Sequence, residues 1–202
     1  MRTKLELSPK KLPSTRRGMQ TYHALVTATA RLLERAGYEA LTTNHVASKA
    51  GVGIASVYEF FPSKHALVAA VVDQTVESVL ADLTEDLEQA LAHSDPVAHW
   101  IARMFQAITK RKRLFSVLVQ EVPFFWQTPC VLSARARLHE LALRARALNA
   151  ANDAGPHVEA MTHLMPIMVA HAVLDSVLRP PQGLEPEALE RALIDAVKRL
   201  VQ

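Results

Sequence analysis

Residues 41–67 read LTTNHVASKAGVGIASVYEFFPSKHAL and predict two short helices joined by a tight turn. Thr43 is a suitable N-cap for the first helix, because its side-chain oxygen can accept a hydrogen bond from a free amide of the first turn. The inner face of that helix consists of small apolar residues, Val46, Ala47 and Ala50. Glycine at positions 51 and 53 permits a sharp turn. The second helix then covers residues 54–61 and stops at Pro62.

A longer helix is predicted ahead of this pair. Between Tyr22 and Ala36 the apolar residues recur at helical spacing and share one face; they are Leu25, Ala28, Leu32, Leu33 and Ala36. Gly37 can supply the left-handed cap that ends the helix. Three helices of these lengths have the dimensions of a helix-turn-helix unit, whose second short helix lies in the major groove of DNA.

The same stretch is similar to a known family. Residues 22–72 resemble the DNA-binding region of TetR-family transcriptional regulators, over about a quarter of the chain. The matching positions are Gly37, Thr42, Thr43, Val46, Ala47, Ala50, Gly51, Val52, Val57, Tyr58, Phe61, Lys64 and Leu67. The resemblance implies DNA binding and a larger helical domain that takes a small-molecule effector and forms dimers. Phe60 departs from the family, which commonly has histidine at that position.

Two kinds of DNA contact are expected from the helix-turn-helix. Thr43 offers a hydroxyl beside free backbone amides, which suits a phosphate, and the resemblance implies that Tyr58 and Lys64 also touch phosphate. Base reading is harder to predict, because the recognition helix lacks the Arg, Lys, Asn and Gln side chains that bind purines bidentately. Its apolar groups suit thymine methyls, and Glu59 suits a cytosine amine. The predicted DNA-contacting residues are Thr43, Asn44, Gly53, Ile54, Ala55, Ser56, Tyr58, Glu59 and Lys64.

Charge is distributed unevenly along the 202 residues. Residues 1–64 contain ten Lys or Arg and four Asp or Glu, a formal charge of +6, whereas the rest of the chain carries −3. This asymmetry indicates that the N-terminal third meets a polyanion. A flexible basic arm is predicted over residues 1–20, with Lys10, Lys11, Arg16 and Arg17. Two interpretations of the arm are open, since it either contacts DNA in a minor groove or along the phosphates, or is a solvated tail.

Further helices are predicted downstream, separated by proline-containing turns. They cover residues 64 to about 92, 97–109, 131–151, 157–178 and 186–201, and Pro166 is expected to kink its helix. The region is rich in aromatic and Met side chains, which suit adaptable apolar ligands, although each of them can equally be an ordinary core residue. The predicted effector-pocket residues are Trp100, Met104, Phe105, Phe115, Glu121, Phe124, Phe125, Trp126, Met161, Met165, Met168 and His171.

Metal and enzyme chemistry find little support in the sequence. Cys130 is the only cysteine, so the chain has neither an intrachain disulfide nor a Cys-based metal centre. Two His–carboxylate pairs stand at i, i+4, a spacing more typical of salt bridges than of metal sites; they are Glu159 with His163 and His171 with Asp175. No cofactor, metal or catalytic residue is predicted, because no nucleophile lies beside a base and no Gly-rich phosphate loop occurs.

A membrane span is not predicted either. The longest uninterrupted apolar run, Ala66–Val72, has seven residues, whereas about 20 are needed to cross a bilayer. The sequence therefore predicts a soluble, cytoplasmic protein.

These observations predict an all-α protein with three parts: the arm over 1–20, a helix-turn-helix DNA-binding domain over 21–63, and a helical effector-binding and dimerisation domain over 64–202. The predicted function is ligand-responsive transcriptional regulation, most often repression in this family, with release from a palindromic operator by a small, largely apolar effector. The apolar helices 157–178 and 186–201 predict a homodimer joined by a four-helix interface. Three alternatives are a multidrug-sensing repressor of an efflux system, an architectural DNA-binding protein without an effector, and a helical enzyme.

Overall fold

The chain is all-helical in the computed structural model, which describes residues 5–85, 93–148 and 156–201 and has no strand among them. The helices are α1 (Arg16–Ala36), α2 (Thr43–Ala50), α3 (Ile54–Phe60), α4 (Lys64–Thr84), α5 (Pro96–Thr109), α6 (Lys112–Glu121), α7 (Pro129–Leu148), α8 (Pro156–Leu178) and α9 (Pro186–Val201), with a 3₁₀ turn at Phe125–Gln127. The predicted fold class is confirmed. Residues 86–92 of the fourth predicted helix and most of the predicted loop at 152–156 lie outside the described residues.

The start of α1 corrects the sequence prediction. The helix begins at Arg16 instead of Tyr22, because the Thr15 side chain caps it by accepting a hydrogen bond from the Gly18 amide at 3.1 Å. Arg16 and Arg17 therefore lie in the first helical turn and not on a flexible arm. The prediction missed this turn because residues 16–21 carry no apolar periodicity.

Two compact units divide the chain. The first contains the described residues up to Val76 together with Arg113–Val131; the second contains Glu77–Lys112 and the residues from Leu132 onward. The boundary falls within α4, so this helix contributes to both units. The predicted boundaries at residues 20 and 63 divide the chain by function, and they stay a prediction. The two units divide the chain by packing and have different boundaries.

The core of the first unit is built on the helix-turn-helix. Helices α1, α2 and α3 pack on one another. Val46 and Ala47, predicted on the inner face of α2, are buried there with Val57 and Phe61, whereas Ala50 and Val52 are half-buried. The first two turns of α4 complete this core, because every residue of Ala66–Val72 is buried. The Ser63 hydroxyl caps α4 by accepting a hydrogen bond from the Ala66 amide at 3.3 Å.

Residues 113–131 add a second layer to the first unit. Phe115, Leu118, Phe124 and Phe125 are buried there. Five of the predicted effector-pocket residues fall in this segment and pack with α1–α3 in the first unit; they are Phe115, Glu121, Phe124, Phe125 and Trp126. Their role in ligand binding stays a prediction. Periodicity could not show this placement, because it reveals which face of a helix is buried but not what covers that face.

In the second unit, α5, α8 and α9 pack pairwise on one another. Their shared core contains the buried side chains Ile101, Met104, Phe105, Met165, Val169, Val173 and Val197. The Lys198 ammonium forms an ion pair with the Asp95 carboxylate, which also caps the first turn of α5 by accepting from the Ala98 amide. The Arg111 guanidinium bonds Asp82 at 2.7 Å and thereby lowers the pKa of that carboxyl. These pairs join α4 and α9 to α5 and the residues that follow it.

Candidate nucleic-acid interface

The residue that caps helix α2 lies one position earlier than the sequence predicted. Thr42 is the N-cap, and its hydroxyl accepts a hydrogen bond from the His45 amide at 3.2 Å. Thr43 is the first helical residue, and its hydroxyl is 3.1 Å from the phenol oxygen of Tyr58 in α3. The prediction chose the wrong member of a Thr–Thr pair, since either hydroxyl satisfies the capping pattern. The structure nevertheless brings Thr43 and Tyr58, both predicted phosphate contacts, to one place.

The turn between the two short helices depends on one of its two glycines. Gly51 has φ +69° and ψ 32°, a left-handed conformation that ends α2, and the Val52 amide donates back to the Ala47 carbonyl at 3.1 Å. Gly53 is the N-cap of α3, but its φ of −69° is accessible to any residue. A Cβ atom added at Gly53 would meet nothing within 4 Å.

The same substitution is therefore expected to destabilise the protein at position 51 but not at position 53. Gly51→Ser should lower the free energy of unfolding by about 1–2 kcal/mol, because the Cβ atom of serine is strained in a left-handed backbone conformation. Gly53→Ser should leave it unchanged or raise it by up to about 1 kcal/mol, because serine caps helices and restricts the unfolded chain. Urea denaturation of the two variants beside the unchanged protein measures both effects, and equal losses would contradict this description of the turn.

The outward face of α3 contains most of the predicted base-reading residues. Ile54, Ala55, Tyr58 and Glu59 are exposed and Ser56 is half-buried, whereas Val57 and Phe60 face the core. Asn44 is exposed on α2. This surface offers apolar groups, hydroxyls and one carboxylate to a partner. The buried side chains Val57 and Phe60 on the opposite face fix the position of α3.

Lys64 lies differently from the other predicted phosphate contacts. Its ammonium donates to the Tyr38 carbonyl at 3.2 Å and lies 4.4 Å from the centroid of the Tyr38 ring. The Glu121 carboxylate accepts from the Tyr38 amide at 2.8 Å, so both polar backbone groups of Tyr38 are bonded by side chains. In this structure Lys64 holds the loop after α1, and its contact with phosphate stays a prediction.

His65 and Phe124 line the other side of this loop. The Phe124 ring stands edge-on to Tyr38 at 6.1 Å and to His65 at 5.6 Å between centroids. Burial, with a smaller contribution from Lys64, lowers the pKa of His65 below its ordinary value, so this imidazole is neutral at neutral pH. The imidazole therefore adds no charge of its own beside the Phe124 ring.

The N-terminal segment contacts the recognition helix, which the sequence did not indicate. The Lys10 amide donates to the Phe60 carbonyl at 2.7 Å, and the Lys10 ammonium donates to the Tyr58 carbonyl at 3.1 Å. Lys11 forms an ion pair with Glu59 at 2.7 Å. Only the clustering of positive charge ahead of α1 signalled a role for these residues, and it did not reveal their partners.

The predicted pocket residues of the second unit occupy different environments. Met104, Phe105 and Met165 are buried, Trp100 and Met161 are half-buried, and Met168 and His171 are exposed. The two exposed residues lie on a face of α8 that this unit does not cover. A role for this set in ligand binding stays a prediction.

Catalytic and metal chemistry gain no support from the described side chains. Burial, and secondarily a hydrogen bond with Asp73, raises the pKa of Cys130 to about 12, so its thiol is protonated and a poor nucleophile at neutral pH. Within the described residues, no group of three or more His, Cys, Asp or Glu side chains could hold a metal ion.

Comparison with known proteins gives a match over the helix-turn-helix that carries this surface. Residues 25–71 match the sequence model of the family described as bacterial regulatory proteins, tetR family. That match covers α2, α3, most of α1 and the buried start of α4. No curated protein matches the whole chain closely enough to be significant.

Solved structures share the complete fold at low sequence identity. A TetR-family transcriptional regulator from Mesorhizobium loti has a TM-score of 0.67 and 15% identity, over 93% of this chain and 98% of its own. A TetR-family regulator from Rhodococcus sp. has a TM-score of 0.67 and 15% identity, over 91% of this chain and 100% of its own. The regulator FadR from Bacillus subtilis, solved in complex with stearoyl-CoA, has a TM-score of 0.64 and 15% identity, over 87% of this chain and 97% of its own. Residues 25–71 thus match the DNA-binding region of the tetR family of bacterial regulators, and the whole chain shares the fold of solved TetR-family regulators.

Proposed function

We propose that this protein is a ligand-responsive repressor that binds a palindromic operator as a homodimer and leaves it when a small, largely apolar effector binds. The observation that carries the proposal is the exposed face of α3, held on a buried helix-turn-helix core. In the proposed mechanism, the effector changes the separation of two recognition helices. These helices must match successive major grooves about 34 Å apart, so a change in their separation releases the DNA.

Composition of the last two helices supports the dimer. Residues Glu159–Leu178 of α8 are long and apolar enough to cross a membrane, yet only 28% of the window is buried within this chain. On the covered side lie Val169 and Val173, and on the uncovered side Leu164 and Met168. Such an apolar face on a soluble regulator needs a partner, and a second copy is our proposed occupant.

Helix α9 supplies the other half of the proposed interface. Ala196 and Leu200 are exposed and Leu189 and Leu193 are half-buried, and their spacing of three and four residues places them in one apolar stripe along α9. Packing α8 and α9 of one protomer on those of its partner makes a four-helix bundle. The two-fold axis that relates the two protomers also matches the symmetry of a palindromic operator.

The effector class is proposed from the second unit. Its aromatic and Met side chains suit an adaptable apolar ligand, and the FadR neighbour was solved with stearoyl-CoA, a molecule with a long apolar chain. We propose action in the cytoplasm, where such metabolites and the DNA are both available. Sensing of several unrelated drugs for an efflux system is the variant of this function that a broad ligand profile would indicate.

One experiment tests the DNA-binding and ligand-binding parts together. The protein is used to select duplexes from a random pool, and fluorescence anisotropy on the selected duplex is repeated with stearoyl-CoA, free fatty acids and hydrophobic cations. An inverted repeat should be enriched, and one ligand class should weaken binding. At about 100 times its dissociation constant, that ligand should stabilise the fold by roughly 2.7 kcal/mol in thermal unfolding. Enrichment of no sequence would indicate an architectural protein and contradict the proposal.

A further inference from the structure

The recognition helix α3 is incomplete without residues from the N-terminal segment. It has only seven residues, and the last carbonyls of any helix lack partners within the helix. The Phe61 amide satisfies the Val57 carbonyl at 2.8 Å, but Pro62 has no amide to offer. Lys10 supplies the missing donors, since its amide bonds the Phe60 carbonyl and its ammonium bonds the Tyr58 carbonyl.

Phe60 provides the surface on which this segment rests. Its side chain is 3% exposed, and its ring stands edge-on to Tyr22 at 5.9 Å between centroids. The Lys11 ammonium lies 5.6 Å from the centroid of the same ring, a distance at which a cation and an aromatic face attract. The residue that departs from the family pattern is thus the one that joins α3, α1 and the N-terminal segment.

The Lys11–Glu59 ion pair matters for DNA binding because of the position of the Glu59 carboxylate. It is the only acidic residue between positions 40 and 72, and it lies on the exposed face of α3. The two side chains of the pair are 54% and 51% exposed, and ion pairs of that exposure add little to folding stability. An unpaired carboxylate pressed against phosphates, however, meets strong repulsion and loses its water.

Resting on the proposed function, we infer that residues 10 and 11 form a strap that holds the C-terminal end of α3 and neutralises Glu59 for its approach to DNA. Lys10 and Lys11 are positioning residues in this proposal. The DNA then meets a Lys11–Glu59 pair in place of a free carboxylate. This replaces the expectation that Glu59 alone reads a cytosine amine.

A double-mutant cycle tests the neutralising role. Lys11→Ala, Glu59→Gln and the double variant are compared by anisotropy on the selected duplex at fixed salt. Lys11→Ala should weaken binding about tenfold in the unchanged background and less than about threefold beside Glu59→Gln, because residues that act as a pair couple in such cycles. Lys49→Ala is the matched control: it removes an exposed lysine of α2 and should have the same effect in both backgrounds. Equal effects of Lys11→Ala in both backgrounds would overturn the neutralising role.

The holding role is tested without DNA. Lys10→Pro removes both donors, whereas Lys10→Ala removes only the ammonium. Lys10→Pro should raise the hydrogen-exchange rate of the Phe61 amide about tenfold, since the end of α3 loses two hydrogen bonds and opens more often. Lys10→Ala should produce a smaller increase. Unchanged exchange in Lys10→Pro would overturn the strap. If the unchanged protein binds no DNA, the proposed function and the neutralising role both fail, while the exchange result still decides whether the strap exists.

Discussion

Substitution of Leu164→Glu together with Met168→Glu is expected to convert the proposed dimer to a monomer and to weaken operator binding by at least about 100-fold. The two side chains are 47% and 52% exposed, so glutamate at these positions leaves the protomer's own core intact. In the proposed dimer, four carboxylates would be buried on an apolar contact, which costs far more than the contact gains. Two linked recognition helices exceed the affinity of one by about 10²–10⁴, and the variant loses that advantage.

Sedimentation at micromolar protein gives the mass, and anisotropy gives the affinity. Leu143→Glu is the matched control, because it places the same charge at an apolar residue of α7 that is 45% exposed. This control should remain dimeric with nearly unchanged DNA binding. A double variant that stays dimeric, or an unchanged protein that sediments as a monomer, would rule out this interface.

Removal of the Phe124 ring is expected to have the largest effect on stability. Phe124 is 1% exposed and stands edge-on to the rings of Tyr38 and His65. Phe124→Ala deletes that aromatic cluster and leaves a cavity, and such changes cost about 3–5 kcal/mol. The loss should be visible as a fall in the urea midpoint, with the slope unchanged.

Trp126→Ala provides the comparison, because Trp126 lies in the same turn and is 45% exposed. It should cost roughly 1 kcal/mol or less, as is usual for substitutions of exposed residues. Losses of similar size in the two variants would show that the segment after α6 is a loose cover and does not belong to the core of the first unit.

Local sequence signals predicted the helix-turn-helix well. The apolar positions Val46, Val57 and Phe61, the glycine turn and the proline stop all act within a few residues of one another, and the structure contains each of them. Local signals were less useful where two residues were equivalent, as with Thr42 and Thr43. They also failed where polarity hid a helical turn, as at Arg16 and Arg17.

Long-range partners were beyond the sequence. Nothing near Phe60 indicates that Lys10 bonds its carbonyl, and nothing near Glu121 indicates that it binds the Tyr38 amide. These contacts join residues 50 and 83 positions apart, whereas periodicity and capping rules act over one or two helical turns. The basic residues of the N-terminal segment could therefore be recognised as a cluster but not assigned a role.

Because Arg113–Val131 belongs to the first unit, the core beneath the helix-turn-helix is complete only after Val131 has been synthesised. Ribosomes add about 5–20 residues per second, and domains generally fold as they emerge. The residues up to Val76 thus leave the ribosome several seconds before Phe124, and until then the aromatic side of Tyr38 and His65 has no cover. A nascent or prematurely ended chain that stops before Val131 carries every predicted DNA-contacting residue but lacks a finished core beneath them. Translation itself thereby delays a stable reading head until the first segment of the second unit, Glu77–Lys112, has also been made.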